Sequence, residues 1–414
     1  LPGNEVEVTI TADDTPRLAW LDGLRGIAAI QVVLLHYASA FIPAIGLLDP
    51  TRARYAWEGA FIHTPLFLPF DGYSAVYVFF ILSGVALTYS FGARPRAVLT
   101  GVARRVIRLG MPMIGGILFG AVCYSLLPDV RVGASQLTGS VDWLGLVTPE
   151  RISPLALLHQ IGLEGLFAGY KDSSLLPQSL RGWFGLVPMG QSLDVPLWTL
   201  HVEFFGSLFV LGLVTLREAV GHRTYVVVCV MLAGALATSS LELFLIGHIA
   251  AGWLKIPPNR RSNWMVGACL LGLGIVLCTA PRFDLLVCLR RLLPPPFIGE
   301  PVGSEVLQRI LGAVGLFFGI SLLPGIQNNL GSPVVRWLGK ISFSLYLTHF
   351  PLLFTVVCDC FILLAGLVSY GAAATIVTIG GILLSLAVAV AFERLVDRPA
   401  IALSRKVSAP GGRR

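Results

Sequence analysis

The chain has 414 residues, of which 55% are hydrophobic and only 13% charged. An ordinary soluble chain carries about 25% Asp, Glu, Lys and Arg, so this one has roughly half the charge needed to solvate its surface, and the composition places it in lipid. Its 30 basic residues exceed its 23 acidic ones by seven, an excess that in a membrane protein records basic cytoplasmic loops and argues against a nucleic-acid partner.

In chain order, residues 1–20 are polar and acidic without an apolar core, which predicts a cytoplasmic N-terminal segment, not a cleavable signal peptide. Stretches of about 20 apolar residues predict membrane spans near 24–47, 72–91, 109–128, 197–216, 263–280, 305–323, 341–365 and 371–392. The apolar run 224–254 would reach about 46 Å as one helix, too far for a hydrocarbon core of about 30 Å. A break near Ser239-Ser240 divides it into two short helices and gives about ten spans. Between the third and fourth spans lies one long interruption, 129–196, in which Pro, Gly, Trp143 and Trp183 are scattered among amphipathic pieces such as SPLALLHQIGLEGLF. It reads as interfacial or re-entrant helices walling an acceptor pocket on the non-cytoplasmic face. Lys and Arg fall 20 to 10 in favour of the side carrying both termini, so both termini are expected in the cytoplasm. The expectation is an all-α integral membrane protein: a transmembrane domain over 21–400 and a basic cytoplasmic tail over 401–414. The seven cysteines show neither CxxC nor His-paired metal spacing, so no disulfide framework and no metal site is expected.

Ionisable groups at mid-bilayer depth are costly and mark function or pairing. Arg25 stands at the cytoplasmic mouth of the first span. His36, eleven residues on, lies ~16 Å further along the axis and only about 20° round it. Glu203 falls ~9 Å inside the outer end of the fourth span, and His349 ~14 Å from the inner boundary, so the three deep groups share nearly one depth. A His and a carboxylate in a dry cavity suit general-base chemistry, with Glu203 orienting either His36 or the acceptor. In the run ARRVIR at 103–108, Arg105 and Arg108 share a helix face and form a two-pronged phosphate clamp. The Arg25 to His36 separation matches the reach of a pantetheine arm, placing a CoA head group at the arginines and its acyl carbon beside His36.

These residues stand in a recognisable order. LDGLRGIAAIQVVLLHYA carries Arg25 and His36; VFFILSG follows at 78–84, RRVIRL at 104–109 before Pro112, VPLWTLHVEFFGS at 195–207, LGKISFSLYLTHFPLL at 338–353 and Asp397-Arg398-Pro399 near the end. The set resembles the acyltransferase 3 family of integral-membrane O-acyltransferases, and most closely its fungal branch. Two positions depart from that pattern: Tyr77 stands before the FF pair where bacterial members commonly have Asp, and His201 stands where fungal relatives usually have Pro. The resemblance implies acyl transfer, acetyl most simply, from acetyl-CoA or another acyl-CoA to a hydroxyl-bearing acceptor. His36 would then be the base, Arg25, Arg105 and Arg108 the donor contacts, and Trp198, Tyr346 and His349 the acceptor contacts; an endomembrane location follows if the chain is fungal. The competing reading is a secondary transporter with a midplane polar site, which internal repeats would support and the sequence does not supply.

Overall fold

The computed structural model describes residues 18–92, 98–145, 147–148, 152–255, 263–299 and 301–407. The expected N-terminal segment up to residue 17, the end of the basic tail from 408, and most of the basic loops at 92–97 and 255–262 lie outside the described residues. The described residues are helical with no strand, as the absence of water in a bilayer requires of any segment that cannot close into a barrel.

The apolar helices are α1 (Ala19–Phe41), α2 (Gly72–Gly92), α3 (Val98–Leu126), α4 (Trp198–Ala219), α5 (His222–Leu236), α6 (Leu241–Leu254), α7 (Trp264–Thr279), α8 (Ser304–Ser321), α9 (Pro333–Leu352) and α10 (Tyr370–Phe392). Seven described helices are long and apolar enough to cross a membrane, eight if α7 and the helix Asp284–Leu292, bent from it by 92°, form one span. The break near Ser239-Ser240 is present: α5 ends at Leu236 and α6 begins at Leu241. At 15 and 14 residues, each of these two is shorter than a full crossing. In the sequence α9 looks confined to 341–365, but it starts two turns earlier, at Pro333, and continues through a π-helical turn, Leu353–Val357, to Ala365. Pro351 precedes that turn; its missing N–H and its ring cannot fit the α-helical ladder, and the wider turn absorbs the mismatch.

Close backbone approach holds the site helices together. Helix α1 packs on α9 and α2, α9 also packs on α3 and α10, and α2 packs on α4, α6 and α8. At the α1–α9 crossing a Cβ built on Gly26 would lie 2.5 Å from the Gly339 nitrogen, and one built on Gly339 would lie 2.0 Å from the Asp22 carbonyl oxygen. Only hydrogen fits at either position, and the dispersion attraction between two backbones at so short a range stands in for the hydrophobic driving force that lipid removes.

The described residues between α3 and α4 form short helices, including Val130–Thr138, Pro154–His159 and a π-helical stretch Gln160–Ala168, packed onto the end of the bundle opposite Arg25. Their turns are pinned to backbone groups. Gln160 Oε1 accepts from the Leu193 N–H at 3.2 Å, Glu164 Oε1 from the Val187 N–H at 2.7 Å, and the Arg181 guanidinium donates to the Leu176 and Ser174 carbonyls at 2.7 and 2.8 Å. The loop 42–71 joins them there through Arg52 with Asp142 and Arg54 with the Leu137 carbonyl.

Candidate active site

Helix α1 presents Arg25 and His36 on one stripe, and the glycine crossing brings α9 alongside. There His36 Nδ1 meets His349 Nε2 at 2.8 Å, with the two ring planes within 5° of each other. His349 Nδ1 in turn lies 2.8 Å from the carbonyl oxygen of Leu345, one turn back on its own helix. A carbonyl oxygen only accepts, so His349 Nδ1 donates and its Nε2 offers a lone pair. His36 must then donate through Nδ1, which leaves the lone pair of a neutral His36 on Nε2. A backbone carbonyl thereby dictates, through one intervening ring, which nitrogen of His36 is basic, the role a carboxylate plays in catalytic triads. His349 is fully buried, whereas His36 keeps part of its surface open. Around His36 stand Trp143 from the long segment, with ring centroids 5.7 Å apart, and Phe350, edge-on at 5.2 Å.

A cavity of about 260 Å³ runs from the arginines toward this pair. On α2 it is lined from Ser90 to Val76, fourteen residues or ~21 Å of helix. Arg25, Arg105, Arg108, Glu203, Phe343 and Tyr346 are among the residues of the other helices that line it. Its inner end is closed by a hydroxyl relay in which Thr199 Oγ1 donates to Tyr346 Oη at 3.0 Å and Tyr346 donates to the Pro196 carbonyl at 2.9 Å. His349 lies one helical turn beyond Tyr346.

This geometry gives Glu203 and Trp198 their neighbours. Glu203 is not the partner of His36: its carboxylate is bound to Arg105, Nη2 to Oε1 at 2.8 Å, and His349 takes the place expected of it. The Glu203 expectation rests on depth along the membrane normal, and depth carries no lateral information. Trp198 packs between the two large apolar clusters, and its neighbours Thr199 and Leu200 line the cavity instead. Arg108 also has a counter-ion, Asp397, bonded at 2.5 Å, so the DRP segment near the C-terminus closes onto the basic run of α3. Among the described residues Arg25 makes no ion pair. His201 is fully buried, accepts from the Leu175 N–H at 3.0 Å through Nε2 and faces the Leu166 carbonyl at 3.2 Å through Nδ1. It ties the long segment to α4, a structural use of the residue that departs from the fungal pattern. The sequence marks Trp143 only as an interfacial aromatic; nothing local links it to His36, 107 positions earlier. Among the described residues no group of three His, Cys, Asp or Glu is placed to hold a metal ion.

Comparison with known proteins agrees with the motif order. Residues 18–394 match the acyltransferase 3 family, described as an acyltransferase domain, and the chain belongs to that family. It is similar to the O-acetyltransferase PaAT-1 of Phomopsis amygdali, 24% identical over 397 residues, which take in 82% of this chain and 72% of that protein. No solved structure matches the chain. Family and helices together define a multi-pass membrane O-acyltransferase.

Proposed function

We propose that the protein transfers an acyl group, acetyl most simply, from acyl-CoA to the hydroxyl of a small metabolite, lipid or glycan, with His36 as general base. The observation that carries this reading is the chain from the Leu345 carbonyl through His349 to His36, which leaves a lone pair on His36 Nε2, in the one residue of the pair that is only partly buried. In the reaction the acceptor hydroxyl gives its proton to His36 Nε2 as its oxygen attacks the thioester carbonyl. The carbon–sulfur bond then breaks, and the proton passes from the imidazolium to the departing CoA sulfur, so His36 is regenerated. His349 holds the tautomer and faces the positive charge that His36 acquires.

The donor enters past Arg25 and Arg108, and the cavity carries its acyl end toward the histidines. The relative named as an O-acetyltransferase favours acetyl. Both termini lie in the cytoplasm by the distribution of Lys and Arg, and the long segment on the opposite face bounds the acceptor's approach. Incubation of the purified protein in detergent with labelled acetyl-CoA and a panel of hydroxyl-bearing acceptors tests the reaction: label is expected in a new ester, and no transfer to any acceptor class would overturn it. A C-terminal tag protected from a cytosolic protease, with a tag at residue 172 cut, would reverse the orientation.

A further inference from the structure

Five rings gather about the base: His36, His349, Phe350, Phe354 and Trp143. His349, Phe350 and Phe354 are buried, and only His36 and Trp143 keep part of their surface open. Neither of these two lines the cavity of the arginines, so their open surface is reached by another route than the donor's. A molecule that brings a hydroxyl to His36 by that route lies against Trp143. The indole is a fixed wall. It packs on Phe354 at 5.1 Å and on Phe350 at 6.0 Å. The turn before it is tied down where Ser140 Oγ donates to the Ser39 carbonyl of α1 at 2.6 Å, and Arg52 binds both Asp142 and the Gly139 carbonyl.

The polar groups nearby are spent on the protein itself. The Ser39 and Ser140 hydroxyls donate to backbone carbonyls, Asp142 and Arg52 hold each other, and His349 is taken up by Leu345 and His36. The buried Asp194 carboxylate has no hydrogen-bond partner, but it stands beside Gly116 and Leu347. Leu347 is about 200° round α9 from His349, so this acid is on the far side of that helix from His36. A polyhydroxylated acceptor at Trp143 would shed its water and find no replacement, losing affinity with every hydroxyl left unpaired. An apolar body gains on the same indole face. The segment that carries Trp143 also exposes Leu155, Leu158 and Trp183, a surface that belongs in the membrane interface, where an apolar alcohol is already concentrated.

We infer that Trp143 is the acceptor-side wall of the site and that the acceptor is a lipophilic alcohol with an isolated hydroxyl, taken from the membrane, and not a glycan; the inference rests on the acyl-transfer reading above. The hydroxyl gives its proton to His36 Nε2 and its oxygen becomes the ester oxygen, while CoA leaves as the thiol. The test uses the full chain in nanodiscs of phosphatidylcholine, a lipid without a free hydroxyl, with labelled acetyl-CoA and butanol, decanol or methyl glucoside as acceptor. Wild-type kcat/KM is expected to be about tenfold or more higher for decanol than for either butanol or methyl glucoside. Trp143→Ala is expected to raise decanol KM about tenfold at nearly unchanged turnover and acetyl-CoA KM, which shrinks the decanol-to-butanol ratio of kcat/KM. Trp143→Phe keeps a smaller aromatic face and is expected to raise decanol KM about threefold. Partition into the lipid is common to wild type and variants, so the change in that ratio reads the wall alone. A residue that only packs His36 would lower turnover for both alcohols alike, and a wild-type ratio in both variants would overturn the assignment of Trp143. Methyl glucoside acetylated as well as decanol would overturn the acceptor class and leave acyl transfer standing. No ester with any of the three would overturn the acyl-transfer reading and this inference with it.

Discussion

The histidine pair and the arginine cluster are built on opposite principles. Beyond the closed inner end of the cavity two imidazoles are fixed by a backbone carbonyl and flanked by Trp143 and Phe350, with no counter-charge among the described residues at either ring. At the outer end three guanidiniums stand together and two of them are ion-paired, Arg105 with Glu203 and Arg108 with Asp397. A base must be neutral to take a proton, so its orientation comes from hydrogen bonds. A binding site for a polyanion needs net positive charge, and there acids can only hold the arginines in place and trim the excess. The difference separates chemistry from affinity.

Substitutions at the two ends should therefore move different kinetic constants, and the largest effect belongs to His36. His36→Ala is expected to lower turnover by about 10² to 10⁴ while leaving donor KM near wild type; a correctly inserted variant with near-normal turnover would remove the base. Next comes His349→Phe, which takes away the acceptor for His36 Nδ1–H and frees the wrong tautomer. Turnover should fall by about 10², and His349→Gln, whose amide oxygen can accept that hydrogen bond, should recover part of it. Equal loss in both would reduce His349 to packing. Arg108→Ala should raise donor KM about tenfold at nearly unchanged turnover, since one charge-assisted phosphate contact is worth roughly 1.5–3 kcal/mol and partial exposure discounts it; a fall in turnover alone would erase the distinction between the ends. Smallest is the effect of salt. Raising ionic strength from about 0.1 M to 1 M shortens the Debye length from about 10 to 3 Å, so donor KM should climb severalfold while turnover at saturating donor stays level.

Most of the membrane architecture is legible in the sequence because each feature is one-dimensional. Apolar run length gives the spans, and the excess length of 224–254 gives the break at Ser239-Ser240. The shared stripe of Arg25 and His36 follows from helical periodicity alone, and His349 at a matching depth makes a meeting with His36 natural. What is not legible is everything decided across helices. Glu203 and His349 occupy similar depths, yet only one reaches His36, because α9 rather than α4 crosses α1 on glycine. The Arg108–Asp397 pair joins residues 289 positions apart, and the sequence offers the motif Asp397-Arg398-Pro399 without a hint of what it touches. Trp143 reaches His36 only after the segment between α3 and α4 folds back over the bundle.

The crossing at Gly26 and Gly339 lies close to Arg25 and ten residues before both His36 and His349 on their helices. Two rods whose backbones touch at that point act as a calliper: small changes at the pivot are magnified at the tips, where a hydrogen bond of 2.8 Å must be kept. The tolerance of the proton-transfer geometry is therefore set about 15 Å away, by positions with no functional group of their own. A search for reactive side chains would pass over the two residues on which the alignment of the reactive ones depends.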